Sequence, residues 1–413
     1  MIKSLIVAWI IACFALPVAG ADAAEPGAET PRQVLVLLNM PPPHFRPDSN
    51  YSGGYAETAG RAARRRIASA LARSYGLQMV TDWPMPALGL DCYVMDVPAP
   101  MQPSDVASRL TSEPGVAWAQ VMNIFQPLGR DDVAVGRPSA SRQWPLAELH
   151  QSVTGRGVRI AVIDSSIQAD HPGLSEQVAT RLNLVADRPD TAELHGTAVA
   201  GVIAARSDSR IGIVGVAPLA RILALRACWQ AADTLCTSLS LALALSAALE
   251  NNADIINLSL GGPPDRLIQR LIEAALARGI PVVAAMNRAV ANGGFPAALP
   301  GVISVADAPS TRSPGAVAAP GTDVLTTLPG SRWGVVSGSS YAAAHVSGLV
   351  ALIIDARSRN TAMSGRHHAP MATDLVADPD GRIDACATLA RALVACGCSC
   401  SSARRSVDSI ARH

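Results

Sequence analysis

Nearly unbroken apolar runs, separated by amphipathic stretches, set the pattern over the central part of this chain. Val158-Arg-Ile-Ala-Val-Ile163, Ile222 to Leu225, Ile255 to Leu258, Ile280 to Ala285 and Val302 to Ala306 lack polar alternation, as strands buried on both faces do. Between them, Ser238 to Glu250 and Arg266 to Arg278 repeat apolar residues at helical spacing. Such strands alternating with helices predict an α/β domain, a doubly wound, mostly parallel sheet with flanking helices.

The chain ahead of it has a different grain. Gln33-Val-Leu-Val-Leu-Leu38 reads as a strand, Leu90 to Val97 alternates as another, and Val116 to Phe125 gives a last one. Ala63 to Tyr75 places Ile67, Ala70, Leu71 and Tyr75 on one helical face, with Arg64, Arg65, Arg66 and Arg73 mostly off it on a solvated side. Ser104 can cap a helix carrying Val106 and Leu110, stopped at Pro114-Gly115, and Thr81 to Gly89 can add to the sheet. These elements predict a small α+β domain. From Leu128 to Arg142 the chain turns polar, as an exposed linker does.

The ends add context. Lys3, an apolar run from Leu5 to Ala19 and the small-x-small Ala21-Asp-Ala23 read as a signal peptide over residues 1–23. That run is short for a span, and no later stretch reaches 18 apolar residues, so no membrane span is expected after its removal. A net charge of +1 argues against nucleic-acid or acidic-surface partners. With 413 residues and 49% hydrophobic content, one large core plus a smaller domain is the natural division. Past Ala356 the periodicity fades, and His367-His368 reads as a solvated pair.

The candidate chemistry sits in Val336 to Gly348, V-S-G-S-S-Y-A-A-A-H-V-S-G. An apolar run leads through Gly338, which permits a sharp turn, into Ser340 near the start of an Ala-rich helix. Helix N-termini favour developing negative charge. Upstream, Asp164 ends one apolar run and His195 opens Leu194-His-Gly-Thr-Ala-Val-Ala-Gly-Val-Ile203. A nucleotide-binding reading of the same α/β pattern fails at its first turn. There Ile163 leads into Asp-Ser-Ser without a glycine-rich phosphate loop.

In the order Asp, His, Ser, these blocks resemble the subtilisin-type serine proteases, a chain order long associated with that family. V-I-D-S-S-I-Q-A-D-H-P-G-L (162 to 174), H-G-T-A-V-A-G-V-I-A (195 to 204) and S-G-S-S-Y-A-A-A-H-V-S-G (337 to 348) are similar to its Asp, His and Ser blocks. I-N-L-S-L-G-G (256 to 262) resembles its substrate-binding strand and A-A-M-N (284 to 287) its oxyanion segment. The resemblance implies an exported serine endopeptidase made as a zymogen. Ser340 would be the nucleophile, His195 the base, Asp164 its orienting partner and Asn287 an oxyanion donor. Ser259, Leu260 and Gly261 would pair with an extended protein or peptide substrate. Arg288 would lie either at the mouth of the specificity pocket, favouring acidic side chains, or in solvent. The α+β segment resembles the family's ferredoxin-like propeptide, an intramolecular inhibitor.

On this reading the chain divides into a signal peptide (1–23), a prodomain (31–128), a processing linker (129–142), a catalytic domain (143–390) and a Cys-rich tail (391–413), and a monomer is expected. Four positions depart from the usual pattern. Ser166 stands for Gly, where a positive φ would strain it, Met286 for Gly, Tyr341 for Met and Ala344 for Pro. They keep open the alternative of a weak or inactive protease-fold protein that binds peptides. No cofactor is expected. Calcium is known among relatives, but Gly173 replaces an Asp ligand found in some of them, so no calcium or other metal site is legible. Of eight cysteines, Cys13 falls in the signal and Cys92 in the prodomain. Cys228 and Cys236 flank a short segment and are the first disulfide candidates, while Cys386, Cys396, Cys398 and Cys400 are expected to pair among themselves.

Overall fold

The computed structural model describes residues 31–40, 54–134, 144–186, 188–206, 213–231, 233–309, 315–359 and 369–393. The signal segment, residues 135–142 of the linker and Cys396, Cys398 and Cys400 lie outside them. The small domain comprises β1 (Gln33–Asn39), α1 (Gly54–Ser74), β2 (Gln78–Met85), β3 (Leu90–Asp96), α2 (Pro103–Thr111) and β4 (Val116–Val121). Its antiparallel sheet has the order β2-β3-β1-β4, that of a ferredoxin-like βαββαβ unit.

Strand alternation decides what each face covers. Val34, Val36 and Leu38 pack with Ala68, Ala72, Val106 and Leu110 under the two helices. Leu35, Leu37, Cys92 and Trp118 turn the other way and share a core with the large domain. The helix α1 sits differently from expectation. Ala68 and Ala72 are buried, whereas Ile67 is 45% exposed. Arg64, which the periodicity left on the solvated side, is buried in an ion pair with Asp91, so the sheet supplies a carboxylate to it. Ser104 lies inside α2 and does not cap it; the cap position is Gln102 and Pro103 begins the helix, as Pro favours. Val116 to Phe125 is two strands, because the chain leaves the sheet after β4 to form β5 (Ile124–Pro127) and β6 (Gly129–Ala134). The first residues of the expected linker are therefore a strand.

The large domain runs through α3 (Leu146–Leu149), β7 (Arg159–Asp164), β8 (Val178–Asn183), α4 (Leu194–Ala204), β9 (Arg221–Arg226), β10 (Cys228–Gln230), β11 (Thr234–Thr237), α5 (Ser238–Glu250), β12 (Ile255–Leu258) and β13 (Leu260–Gly261). It continues with α6 (Arg266–Ala277), β14 (Val282–Ala285), β15 (Ile303–Ala306), β16 (Val317–Ala318), β17 (Val324–Leu328), β18 (Arg332–Gly338), α7 (Ser339–Arg359) and α8 (Ala385–Leu393). Seven strands form a parallel sheet ordered β16-β15-β14-β12-β7-β9-β8. Ile160 and Val162 of β7 pack with α4 and α7, while Ala161 and Ile163 pack with α5 and α6. Helices on both faces explain why these strands read as continuous apolar runs. Among the described residues, α7 is long and apolar enough to cross a membrane, but 94% of its most apolar window is buried as the central helix.

The small domain docks on the starts of α5 and α6, where unpaired backbone N–H groups need acceptors. Gln120 Oε1 accepts from Leu267 N (3.1 Å), Asn123 O accepts from Ser238 N (3.0 Å) and Asn123 Nδ2 donates to Asp265 (2.9 Å). Asp265 in turn caps α6 through Ile268 N and accepts from Ser238 Oγ.

Candidate active site

The site forms at the carboxyl ends of the parallel strands, where open α/β sheets place their ligands. Asp164 is the last residue of β7 and His195 the second of α4. Both are buried, and His195 Nδ1 lies 2.8 Å from Asp164 Oδ1, which also accepts from Ser165 N at 2.7 Å. Donation from Nδ1–H leaves Nε2 as the basic nitrogen. Gly196 lets the two elements approach, since a Cβ there would lie 2.2 Å from Ser165 O.

Ser340 reaches the site from the other side. Gly338 ends β18 with φ 146°, and Ser340 follows in the first turn of α7. Its Oγ donates to Ser259 O (2.8 Å), and Ser259 Oγ donates back to Ser340 O (3.0 Å). Asn257 Nδ2 donates to Ser259 Oγ, and Ser347 Oγ to Asn257 Oδ1, so the serine helix is fastened to the end of β12.

The cleft holds the protein's own chain. β5 lies antiparallel between β11 and β13, with Phe125 opposite Cys236 and Gln126 opposite Gly261. Leu128 N donates to Ser259 O (3.2 Å) and lies 3.1 Å from Ser340 Oγ; Leu128 O accepts from Ser339 Oγ at 3.4 Å. Beyond it, β6 pairs with β18, Gly129 opposite Gly338. Gly129 lies against His195, so the Leu128–Gly129 peptide runs between His195 and Ser340. Ser259, Leu260 and Gly261 thus form the wall along this segment. No cue placed Ile124 to Leu128 on that wall, because Ile124 and Phe125 equally suited the end of the small domain's last strand and Leu128 the start of the linker.

Asn287 follows β14, and its Oδ1 accepts from Ala289 N at 3.0 Å, which turns the amide NH2 away from that loop. Arg288 is 56% exposed and pairs with Asp307 at 3.3 Å. Met286 is buried against Gly293, whose φ is 88° and whose added Cβ would lie 2.6 Å from Met286 Cγ. Ser166 does not adopt a positive φ, so the anticipated strain is absent. Its N–H instead donates to Glu193 Oε2 (2.7 Å) and its hydroxyl to Asp190. Glu193 and Arg226 form a buried ion pair (2.9 Å) directly before the His195 turn. Sequence reasoning passed over these residues; the available signal was an acid at a helix start, where the dipole favours it.

Tyr341 is fully buried, its ring centroid 5.6 Å from that of His195. Tyr341 O accepts from His345 Nδ1 (2.8 Å), and burial lowers the His345 pKa to about 4. Ala344 is buried within an unbroken α7.

Cys228 and Cys236 form a disulfide across β10 and β11, at the edge of the cleft. Cys92 is a buried thiol whose pKa burial pushes up to about 12. Cys386 is half-buried at the start of α8. At Gly173 a Cβ would lie 3.2 Å from Thr327 Cγ2, and no cluster of His, Cys, Asp or Glu able to hold a metal occurs among the described residues. The residues present do not fit a calcium ion there.

Residues 155–375 match the Subtilase family. The chain is 33% identical over 263 residues to Subtilisin E of Bacillus subtilis (strain 168), spanning 60% of this chain and 67% of that protein. It is 35% identical over 226 residues to Subtilisin BL of Lederbergia lenta, spanning 52% of this chain and 82% of that one. The crystal structure of fervidolysin from Fervidobacterium pennivorans, a keratinolytic enzyme related to subtilisin, superposes with TM-score 0.59 at 20% identity. That likeness, which is one of fold, covers 88% of this chain and 60% of fervidolysin. The chain belongs to the subtilase family of serine endopeptidases.

Proposed function

We propose that this chain is an exported endopeptidase, made as a zymogen, that uses Asp164, His195 and Ser340 and first cuts its own Leu128–Gly129 bond. The observation that carries this reading is the Leu128–Gly129 peptide lying between His195 and Ser340, with Leu128 N 3.1 Å from Ser340 Oγ. Ser340 Oγ attacks the Leu128 carbonyl carbon while its proton, now given to Ser259 O, passes to His195 Nε2. Asp164 holds Nδ1–H and stabilises the imidazolium. The oxyanion takes hydrogen bonds from Asn287 Nδ2 and Ser340 N–H, with Ser339 Oγ beside it. His195 then gives its proton to the Gly129 amine, and water releases Leu128 from the acyl-enzyme.

The small domain acts as prodomain and inhibitor, because β5 fills the cleft until the cut and its release. Residues 1–23 serve export, and the substrates in trans are extended protein or peptide segments laid on Ser259, Leu260 and Gly261. Expressing the full chain beside its Ser340→Ala variant tests this. Intact mass should give a fragment ending at Leu128 and one beginning at Gly129 for wild type, and an uncut variant. A fluorophosphonate should label the wild type alone. Equal fragmentation of both proteins would overturn the assignment.

A further inference from the structure

We propose that Tyr341 restricts the position after the scissile bond to glycine, so that preferred substrates carry an apolar residue before the cut and glycine after it. This restriction presupposes the protease activity proposed above and acts at the same site. Gly129 occupies that position, and its φ is not positive. Its backbone is therefore open to any residue, and space alone calls for glycine. A Cβ at 129 would stand 3.0 Å from Tyr341 Cε2, 3.0 Å from His195 Nε2 and 3.1 Å from His195 Cδ2. Carbon contacts are optimal at about 3.5 to 4.0 Å, so one neighbour would have to yield.

Neither neighbour has room to do so. His195 is buried and tied to Asp164 at 2.8 Å, and displacing its ring moves the base away from Ser340. Tyr341 is fully buried in the first turn of α7, its ring tilted 42° against His195. Methionine, usual in the family at this position, is thin and turns about three bonds, so it can give way to a side chain. A planar ring packed on all sides cannot. Substrates in trans follow the same path, because β13 before the cut and β18 after it fix the backbone on either side.

The test uses the full chain after self-processing and synthetic peptides built on Phe125 to Leu128, followed by Gly, Ala, Ser or Leu. Wild type should cleave the Gly peptide about 10- to 100-fold faster in kcat/KM than the Ala peptide, a ratio equivalent to about 1.4 to 2.7 kcal/mol. Tyr341→Met should bring that ratio below about 3. Tyr341→Phe keeps the ring and should keep the ratio, which decides the matter even where the Met variant does not fold. In the precursor, Gly129→Ala should slow self-cleavage, and adding Tyr341→Met should restore it. Equal wild-type cleavage of Gly and Ala peptides, or a ratio unmoved by Tyr341→Met, would overturn the restriction while leaving the protease intact. Failure of wild type to cut any of the peptides would overturn both.

Discussion

The two halves of the cleft hold the same chain by unlike means. Before the Leu128–Gly129 bond, β5 is a middle strand, paired with β11 on one edge and β13 on the other, and followed by the Leu128 N–Ser259 O bond. After the bond, β6 has one strand partner among the described residues, β18, and passes directly beneath two packed rings. Main-chain ladders bind extended peptides with little regard for side chains. A tight steric contact does the reverse: it adds no affinity and discriminates sharply. Grip belongs to the first half and choice to the second, with Asp164, His195 and Ser340 at the junction.

The largest effect should come from that junction. Asn287→Ala removes the oxyanion donor proposed above, which belongs to neither half, so it should lower kcat by about 100- to 1,000-fold with KM nearly unchanged, the magnitude known from the equivalent loss in subtilisin. Steady-state kinetics on a Leu-Gly peptide would check it. A change confined to KM would move Asn287 from the chemistry into the gripping half.

Gly262→Ala attacks the grip itself. A Cβ at 262 would come within 2.4 Å of the Phe125 ring, far inside contact distance. Overpacking of this kind typically costs about 1 to 3 kcal/mol, so self-cleavage should slow by about 10- to 100-fold. Peptides with Phe four residues ahead of the cut should suffer more than those with Ala there. The Gly-over-Ala preference after the cut should stay as in wild type; its loss would show the two halves to be coupled.

How much of this was legible follows the same divide. Asp164, His195 and Ser340 stand at ends of elements whose patterns are strong: a run buried on both faces, and two helices opened by His-Gly and by Gly-Ser-Ser. The proposed chemistry demands those residue types, so the letters carry it. The occupant of the cleft was not legible, since Ile124 to Leu128 could pair with the small domain's own sheet as well as with β11 and β13, and tertiary pairing chose. Ser166 misled for a related reason. Its turn is held by Glu193 and Asp190, contacts made 27 and 24 residues away, which no local rule anticipates. On α1 the helical period was right but the face was rotated, because Asp91 offered Arg64 a buried partner.

The disulfide tests how much of the grip depends on the outer rail. Cys228 and Cys236 bind β10 to β11, and Cys236 lies opposite Phe125. Replacing both by Ser should cost about 2 to 3 kcal/mol of stability, the loop-closure term for so short a loop. At about 2 to 4 °C per kcal/mol for a domain of this size, the melting temperature should fall by about 5 to 10 °C. Catalysis should respond less. β13 and Ser259 still hold the other edge, so KM should rise a few-fold while kcat and the Gly-over-Ala ratio stay put. A collapse of kcat would make the disulfide part of the junction.

The smallest effect is expected at Arg288. Beside Asn287 it invites a role in accepting acidic side chains, yet it is 56% exposed and pairs with Asp307. Exposed ion pairs contribute about 0.2 to 1 kcal/mol, and the Asp307 carboxylate offsets much of the charge a substrate would meet. Arg288→Glu should therefore change kcat/KM for a Leu-Gly peptide by less than about 3-fold. For a Glu-Gly peptide the loss should reach about 5-fold at low salt. It should vanish near 1 M salt, where the screening length falls to about 3 Å. Peptide kinetics at the two ionic strengths would check this. A salt-resistant loss above about 10-fold would mean that Arg288 leaves Asp307 to enter the pocket. The gripping half would then carry side-chain choice as well.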